Sequence, residues 1–347
     1  MTNNQPEQKL IQALKGTPQT PPPIWLMRQA GRYLPEYLAI REKLPNFMEF
    51  CFTSEAVVKA TLQPIERFGF DAAIIFSDIL TIPHLLGQTV SFAPGHGPIL
   101  EKVDWDSFLK NSMTKDLTFD YQPLYQSIAT VRKELPLDKS LIGFAGSPWT
   151  IATYMVQRGK AQNFDTILKF SKERPETFKQ LLDLLTEKVT HLLLGQIKAG
   201  CDVVQIFDSW ASAVPEEHQG EWLWNPLEKI YQSLKEIYPE VPIIYYGRGV
   251  SKHYPMLAKK LKSVSFGLDQ SVDPVWAKEE LQPLGTVQGN LDPEKFAAGE
   301  FDQDVSEILK TLGQKPFIFN LGHGILPHTP IKYVHQLIEQ VRNYRYT

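Results

Sequence analysis

The stretch WLMRQAGRYLPEY, residues 25–37, decides how this chain is read. An apolar run at 24–27 stops abruptly at Arg28-Gln29-Ala30-Gly31-Arg32. A short, continuously apolar run that ends in polar residues is the pattern of a strand covered on both faces as it leaves a sheet. The pattern returns along the chain. Apolar runs lie at 72–76, 141–145, 203–207, 242–246, 264–268, 286–289 and 317–320, with helical patterns between them. Thr53-Ser54 opens a helix that stops at Gly69, and Pro175 opens a long one that stops at Gly200. Asn225-Pro226, Ser251 and Thr329-Pro330 place cap residues at further helix starts. The segment 86–136 is longer and less regular, and an extra hairpin or loop is expected there. Eight strand-then-helix units predict an α/β chain folded as a single (β/α)8 barrel, with a doubly wound open sheet as the alternative. The positions of the polar residues favour the barrel. Arg28, Ser77, Asp78, Ser147, Asp208, Ser209, Arg248, Asp269, Asn290 and His323 all follow strand ends, which a barrel gathers on one face. Residues 1–20 read as a polar N-terminal tail, with a short helical pattern at 8–14, and residues 21–347 as the barrel domain.

Composition narrows the function. Lys and Arg number 36 against 39 Asp and Glu, a net charge of -3, which argues against a nucleic-acid partner. Hydrophobic residues make up 43%, enough for a sizeable core. The N-terminus has no apolar signal-like run, and no stretch is long and apolar enough to span a membrane. A cytoplasmic protein is expected. The two cysteines, Cys51 and Cys201, form no C-x-x-C, and the eight histidines form no close ligand set. No metal site is expected.

The chemistry starts at the arginines. Arg28 and Arg32 stand four residues apart around Gln29, Ala30 and Gly31. A guanidinium fork binds two carboxylate oxygens at once. Gly31 lets a ligand approach the main chain, where adjacent N–H groups can share an anion with the arginines. A substrate with several carboxylates fits this pattern. Arginines paired with nearby Asp and Glu are the plainer alternative. Asp78 follows its strand directly and would point into the barrel mouth, or would cap the next helix.

The stretch 25–37 resembles the signature of uroporphyrinogen decarboxylases. So do FSDIL (76–80), GFAGSPWTIATYM (143–155), QIFDSWA (205–211), QGNLDP (288–293) and FNLGHGI (319–325), in family order over nearly the whole chain. The resemblance implies a (β/α)8 barrel, a homodimer, and conversion of uroporphyrinogen III to coproporphyrinogen III by loss of four acetate carboxyls. It implies that Asp78 binds the four inward-facing pyrrole N–H groups; a carboxylate offers about four lone-pair sites for them. It places Arg28, Gln29, Ala30, Gly31, Arg32, Phe47, Tyr154, Ser209 and His323 against the substrate. Read without it, Phe47 and Tyr154 would be core aromatics, Ser209 a helix cap and His323 a structural histidine. Asp208 reads as structural and Arg41 as a supporting cation. Gln270 departs from the family, where many members carry Trp.

No cofactor is expected. Decarboxylation needs an electron sink, which pyridoxal phosphate or thiamine usually supplies. A pyrrole can serve as its own sink once protonated beside the acetate arm. Two rivals stand against this reading. A zinc-dependent corrinoid methyltransferase would share the fold, but no His-x-Cys is present. A non-catalytic carrier of anionic tetrapyrroles would need the cationic clamps but not Asp78.

Overall fold

The computed structural model describes residues 7–93, 97–160 and 163–345. Seven of the eight expected runs are strands of one all-parallel sheet. They are β1 (Ala72–Ile74), β4 (Ser140–Gly146), β5 (Val203–Asp208), β6 (Ile243–Gly247), β7 (Val264–Gly267), β8 (Val287–Leu291) and β9 (Phe317–Leu321). Their order in the sheet is their order in the chain. The irregular segment before β4 holds the expected hairpin, β2 (Val90–Ala93) with β3 (Gly97–Leu100). Expected helices appear at Ser54–Phe68, Pro175–Ala199, Asn225–Ile237, Tyr254–Lys260 and Ile331–Asn343. Gly69 ends the first of these with φ 65, a left-handed turn that suits glycine.

The sheet curls. Gln205 on β5 and Gln288 on β8 are three strands apart, about 14 Å in a flat sheet. Yet Gln288 Nε2 donates to Gln205 Oε1 at 3.3 Å, and Gln288 Oε1 accepts from Trp25 Nε1 at 2.8 Å. Strand alternation sorts the core into two clusters. Ile142, Val203, Ile244, Tyr246 and Ile318 pack together inside the curl with Trp25 and Met27. Their chain neighbours Leu141, Val204, Tyr245 and Phe319 face the surrounding helices. The N-terminal helix Lys9–Leu14 buries Leu10, Ala13 and Leu14 in the inner cluster, and Ala13 O accepts from Thr286 Oγ1 at 2.6 Å. This helix covers the end of the sheet where the strands begin. The opposite end is left for chemistry.

The run at 24–27 is the exception to the strand count. It makes one bridge, Ile24 with Phe319, and is not a regular strand. The reason lies in its donors. Ile24 N–H goes to Asp71 Oδ2, Leu26 N–H to Gln29 Oε1 and Met27 N–H to Asn320 Oδ1. Only Trp25 N–H reaches a strand carbonyl, Phe319 O at 3.4 Å. Pro21-Pro22-Pro23 supplies no donor at all. The segment still lies between the two sheet edges. Phe319 N–H donates to Pro23 O on one side, and Asp71 N–H to Ile24 O on the other, both at 2.9 Å.

Asn320 therefore carries unusual weight. It is fully buried, and its Oδ1 accepts from Met27 N–H at 2.9 Å and Leu321 N–H at 2.8 Å. Asn320→Leu leaves both amides buried and unpaired. We expect a loss of about 2–5 kcal/mol, at roughly 1–3 per orphaned group, read by urea denaturation. A loss within experimental error would show that these bonds do not hold the segment.

Candidate active site

Arg28 begins where the 24–27 segment is pinned. Its φ is 63, a conformation that costs a non-glycine residue about 1–2 kcal/mol. Bonds on either side impose it: Met27 N–H to Asn320, Ile325 N–H to Met27 O, and Gln29 N–H to Leu26 O. The Arg28 stem lies across Gly324, where an added Cβ would sit 2.3 Å from Arg28 Cδ. Gly322 in turn admits the backbone of Gln270. The two glycines around His323 are thus explained by their neighbours. Gly31 is needed for the turn itself, since a Cβ there would stand 2.7 Å from Arg28 O.

Gln29 does not face the cleft. It is fully buried, its Oε1 accepts from Leu26 N–H, and its Nε2 donates to Ala72 O at 3.0 Å. Its side chain ties the arginine loop to β1. Ala30 and Gly31 keep backbone N–H groups without partners among the described residues, as an anion-binding turn requires.

Arginines elsewhere in the fold do find carboxylates. Arg67 forks onto Glu36 and Arg132 bonds Asp202 at 2.7 Å. The guanidinium groups of Arg28, Arg32 and Arg248 have no hydrogen bond or ion pair among the described residues. The plainer alternative, arginines held by nearby carboxylates, is not what this loop shows. Arg41 differs: it donates to Leu44 O and lies 5.8 Å over the Phe47 ring.

Asp78 follows β1, half-buried at the mouth of the curl. Its Oδ1 accepts from Leu80 N–H at 2.8 Å, which turns the chain into the helix Thr81–Leu86. The local capping role is therefore real, but it uses only part of the carboxylate's capacity. Burial pushes the carboxyl up to about 6, against the opposing pull of the Leu80 amide and Arg28. Its charge also reaches Tyr154 and Tyr37, raising both phenols beyond the effect of burial.

Of the remaining expected residues, Tyr154 and His323 feel the charges of this region. Tyr154 is half-buried on a helix, Pro148–Gln157, whose neighbouring residues are buried, and Arg28 counters Asp78 at its phenol. Ser209 has a free hydroxyl among the described residues and caps nothing, since the short helix after it begins at Ala211. Asp208 is structural, as expected: fully enclosed, it accepts from Thr150 Oγ1 at 2.7 Å and Tyr245 Oη at 3.0 Å. Phe47 packs its ring 4.5 Å from Phe92 and 6.0 Å from Phe76. His323 is pushed down to about 3 by burial, then by Arg28 and Arg248, with Asp269 opposing. It is a neutral imidazole.

Two nearby residues were not among the expected substrate contacts, although Arg248 was among the polar residues expected at strand ends. Arg248 sits in Gly247-Arg248-Gly249, fixed by Gly249 N–H donating to Asp269 Oδ2 at 2.7 Å and by Ser212 N–H to Arg248 O. An arginine between glycines after a strand end was a readable signal. Tyr37 stands near Arg32, Arg41 and Asp78, and nothing in the sequence separates it from a core aromatic.

A raised carboxyl pKa is a stability cost. Ionised Asp78 destabilises the fold above about pH 6, and the cost disappears below the ordinary carboxylate range. Asp78→Asn should thus stabilise at pH 7.5 by about 1–3 kcal/mol, allowing for partial solvation at 1.36 per pKa unit. The gain should vanish as pH falls to about 4. Denaturation of both proteins across this range checks it; a variant less stable at every pH would assign Asp78 to the helix turn alone.

This chain has relatives among known proteins. Residues 5–344 match the family model described as uroporphyrinogen decarboxylase (URO-D). It is 42% identical to a uroporphyrinogen decarboxylase of Rhodospirillum rubrum, over 97% of each chain. It is 44% identical to one from Chelativorans sp., over 98% of this chain and 99% of that one. A methyltransferase from Methanosarcina mazei superposes with TM-score 0.78 over 97% of this chain and 98% of its own, at 18% identity. That likeness shows the fold alone. Matched along nearly its whole length, this chain belongs to the uroporphyrinogen decarboxylase family.

Proposed function

We propose that this protein removes the four acetate carboxyls of uroporphyrinogen III, giving coproporphyrinogen III in porphyrin synthesis, without a cofactor. The observation that carries the reading is the charge arrangement: Arg28, Arg32 and Arg248 lack anionic partners among the described residues, while Asp78 stands near Arg28 with spare lone pairs. The substrate is the complement of that arrangement, with carboxylates at its rim and N–H donors at its centre. The 24–27 segment acts as the eighth stave of a closed (β/α)8 barrel, supported by its bonds to both sheet edges. Residues 21–347, expected from sequence as the barrel, act as one catalytic domain together with the helix Lys9–Leu14, which is packed into its inner cluster and so is part of the domain rather than a tail.

Each residue then has a task. Arg28 and Arg32, with the Ala30 and Gly31 amides, hold substrate carboxylates. Tyr154 and Ser209 offer hydroxyls to others, and Phe47 lies against the macrocycle. Asp78 receives the pyrrole N–H groups. Protonation of the ring carbon beside an acetate arm makes a cation, and Asp78 is its counter-charge. The cation takes the electron pair left by carbon dioxide. Protonation of the arm and loss of the ring proton then leave a methyl group and an aromatic pyrrole. Each acetate takes up one proton net and releases one carbon dioxide.

The family resemblance supports a homodimer. Among the described residues no helix is long and apolar enough to cross a membrane, and we place the protein in the cytoplasm. A zinc methyltransferase has less support, since no three His, Cys, Asp or Glu side chains among the described residues stand together as ligands. The primary test is anaerobic incubation of the pure protein with uroporphyrinogen III, following seven-, six-, five- and four-carboxyl products. No product would end the decarboxylase reading, and a carrier would bind without turnover.

The arginines give a graded outcome. A hydrogen bond to a charged group is worth roughly 1.5–3 kcal/mol. Arg28→Ala and Arg32→Ala should each lower kcat/KM by about ten- to a hundredfold. Steady-state kinetics decide, and unchanged constants in both variants would remove the clamp.

Asp78 should separate rate from binding. Two unit charges about 4 Å apart attract by about 4 kcal/mol at an effective dielectric near 20. The N–H bonds exist in both ground and transition states, so only part of this is catalytic. Asp78→Asn should slow single-turnover decarboxylation by roughly 10²–10³, while product binding weakens less. In the wild type, kcat/KM should fall as pH drops through about 6, where the free enzyme's Asp78 takes up its proton. Equal losses of rate and affinity in the variant would reduce Asp78 to a binding group.

A further inference from the structure

We infer that Tyr246 holds His323 as the Nδ1–H tautomer, so that His323 offers the cleft a bare Nε2 and takes a hydrogen-bond donor rather than a carboxylate. The inference rests on the reading of His323 as a cleft residue and adds what it does there. Tyr246 lies on the inner side of β6, fully buried. Its Oη has two neighbours. Gly322 O is 2.8 Å away and His323 Nδ1 is 3.4 Å away.

A phenol has one proton. A carbonyl oxygen can only accept, so the bond to Gly322 O consumes that proton. Burial raises the Tyr246 phenol, which keeps the proton in place. Toward His323, Oη is left with lone pairs alone. A bare Nδ1 would set lone pair against lone pair, so Nδ1 must carry the hydrogen. A neutral imidazole has one N–H, and Nε2 is then the acceptor. The Tyr246 and His323 rings lie nearly parallel, 5° apart with centroids 6.1 Å apart, which keeps Oη and Nδ1 side by side.

The surroundings keep the ring neutral. Arg28, Arg248 and Lys160 all disfavour an imidazolium, with Asp269 alone opposing them. Nε2 has no partner among the described residues. The nearby arginines are the groups suited to carboxylates, and a bare nitrogen would repel one. A pyrrole N–H or a water held by the substrate is the chemistry that Nε2 accepts. Tyr246 touches no substrate in this account; it is a positioning residue that acts through His323.

The test is ¹⁵N NMR of protein labelled at the histidine rings, near pH 7, without substrate. The His323 signals are assigned by their loss in His323→Gln. We expect a protonated Nδ1 and an unprotonated Nε2 in the wild type. In Tyr246→Phe the acceptor for Nδ1–H is gone, and the ring should move toward the Nε2–H form. Catalysis in that variant should fall by about tenfold in kcat/KM, the scale of one ordinary hydrogen bond. An Nε2–H tautomer or an imidazolium in the wild type would overturn the inference, and that spectrum needs no variant to fold. An Nδ1–H ring that persists unchanged in Tyr246→Phe would remove Tyr246 as its cause. The spectrum is independent of turnover, so an inactive protein with the expected tautomer would fail the decarboxylase reading and leave this one standing.

Discussion

The bond from Met27 N–H to Asn320 Oδ1 is the constraint on which the rest depends. The segment before β1 must bring an arginine to the mouth of the curl, and a continuing strand would carry it past. Side chains therefore take most of the segment's amides, at Asp71, Gln29 and Asn320. The ladder stops, the chain turns through a left-handed Arg28, and Gly324 leaves room for its stem. Backbone hydrogen bonding, packing at one glycine and the position of one charge are thus a single arrangement. Gln29 completes it from below by tying the turn to Ala72.

Electrostatically the site is unfinished. Arg28, Arg32 and Arg248 have no ion pair among the described residues, Asp78 is held near the pH where it would lose its charge, and His323 is kept uncharged by burial and its neighbours. Each is a cost in the free protein that a ligand of opposite pattern relieves. A tetrapyrrole with peripheral carboxylates and central N–H groups is such a ligand. The outer helices and the inner plug of Lys9–Leu14 provide the stability against which that cost is set.

Much of this was legible in the residues. Seven strands, the hairpin and the long helices follow from apolar runs and their punctuation. Those signals are local, and packing reinforced them. The eighth run failed as a regular strand because its hydrogen bonds go to Asp71 and Asn320, which are distant in sequence, and no window of residues reveals such partners. The candidate site divides similarly. Asp78 and Ser209 are legible as residues that follow strand ends, and Arg28 as one that follows an apolar run. Gln29 shares the stretch but turns inward, since its amide answers one backbone donor and one backbone acceptor. Arg248 stands between glycines after a strand end, a signal that was open to reading. Tyr246 and Tyr37 carry no sequence signal, because their roles arise from what the fold sets beside them.

The central claim is that Asp78 is poised for N–H donors from the ligand. A ¹³C NMR titration of its side-chain carboxyl tests this most directly, with the signal assigned by Asp78→Asn. The measurement is made on the free protein and on its complex with a coproporphyrinogen-type product under anaerobic conditions. The carboxyl should titrate near 6 when free and well below that when the macrocycle is bound, because donors to the charged form favour it. A value that is unchanged or raised by the ligand would mean that the pyrrole N–H groups do not meet Asp78, and would contradict the account.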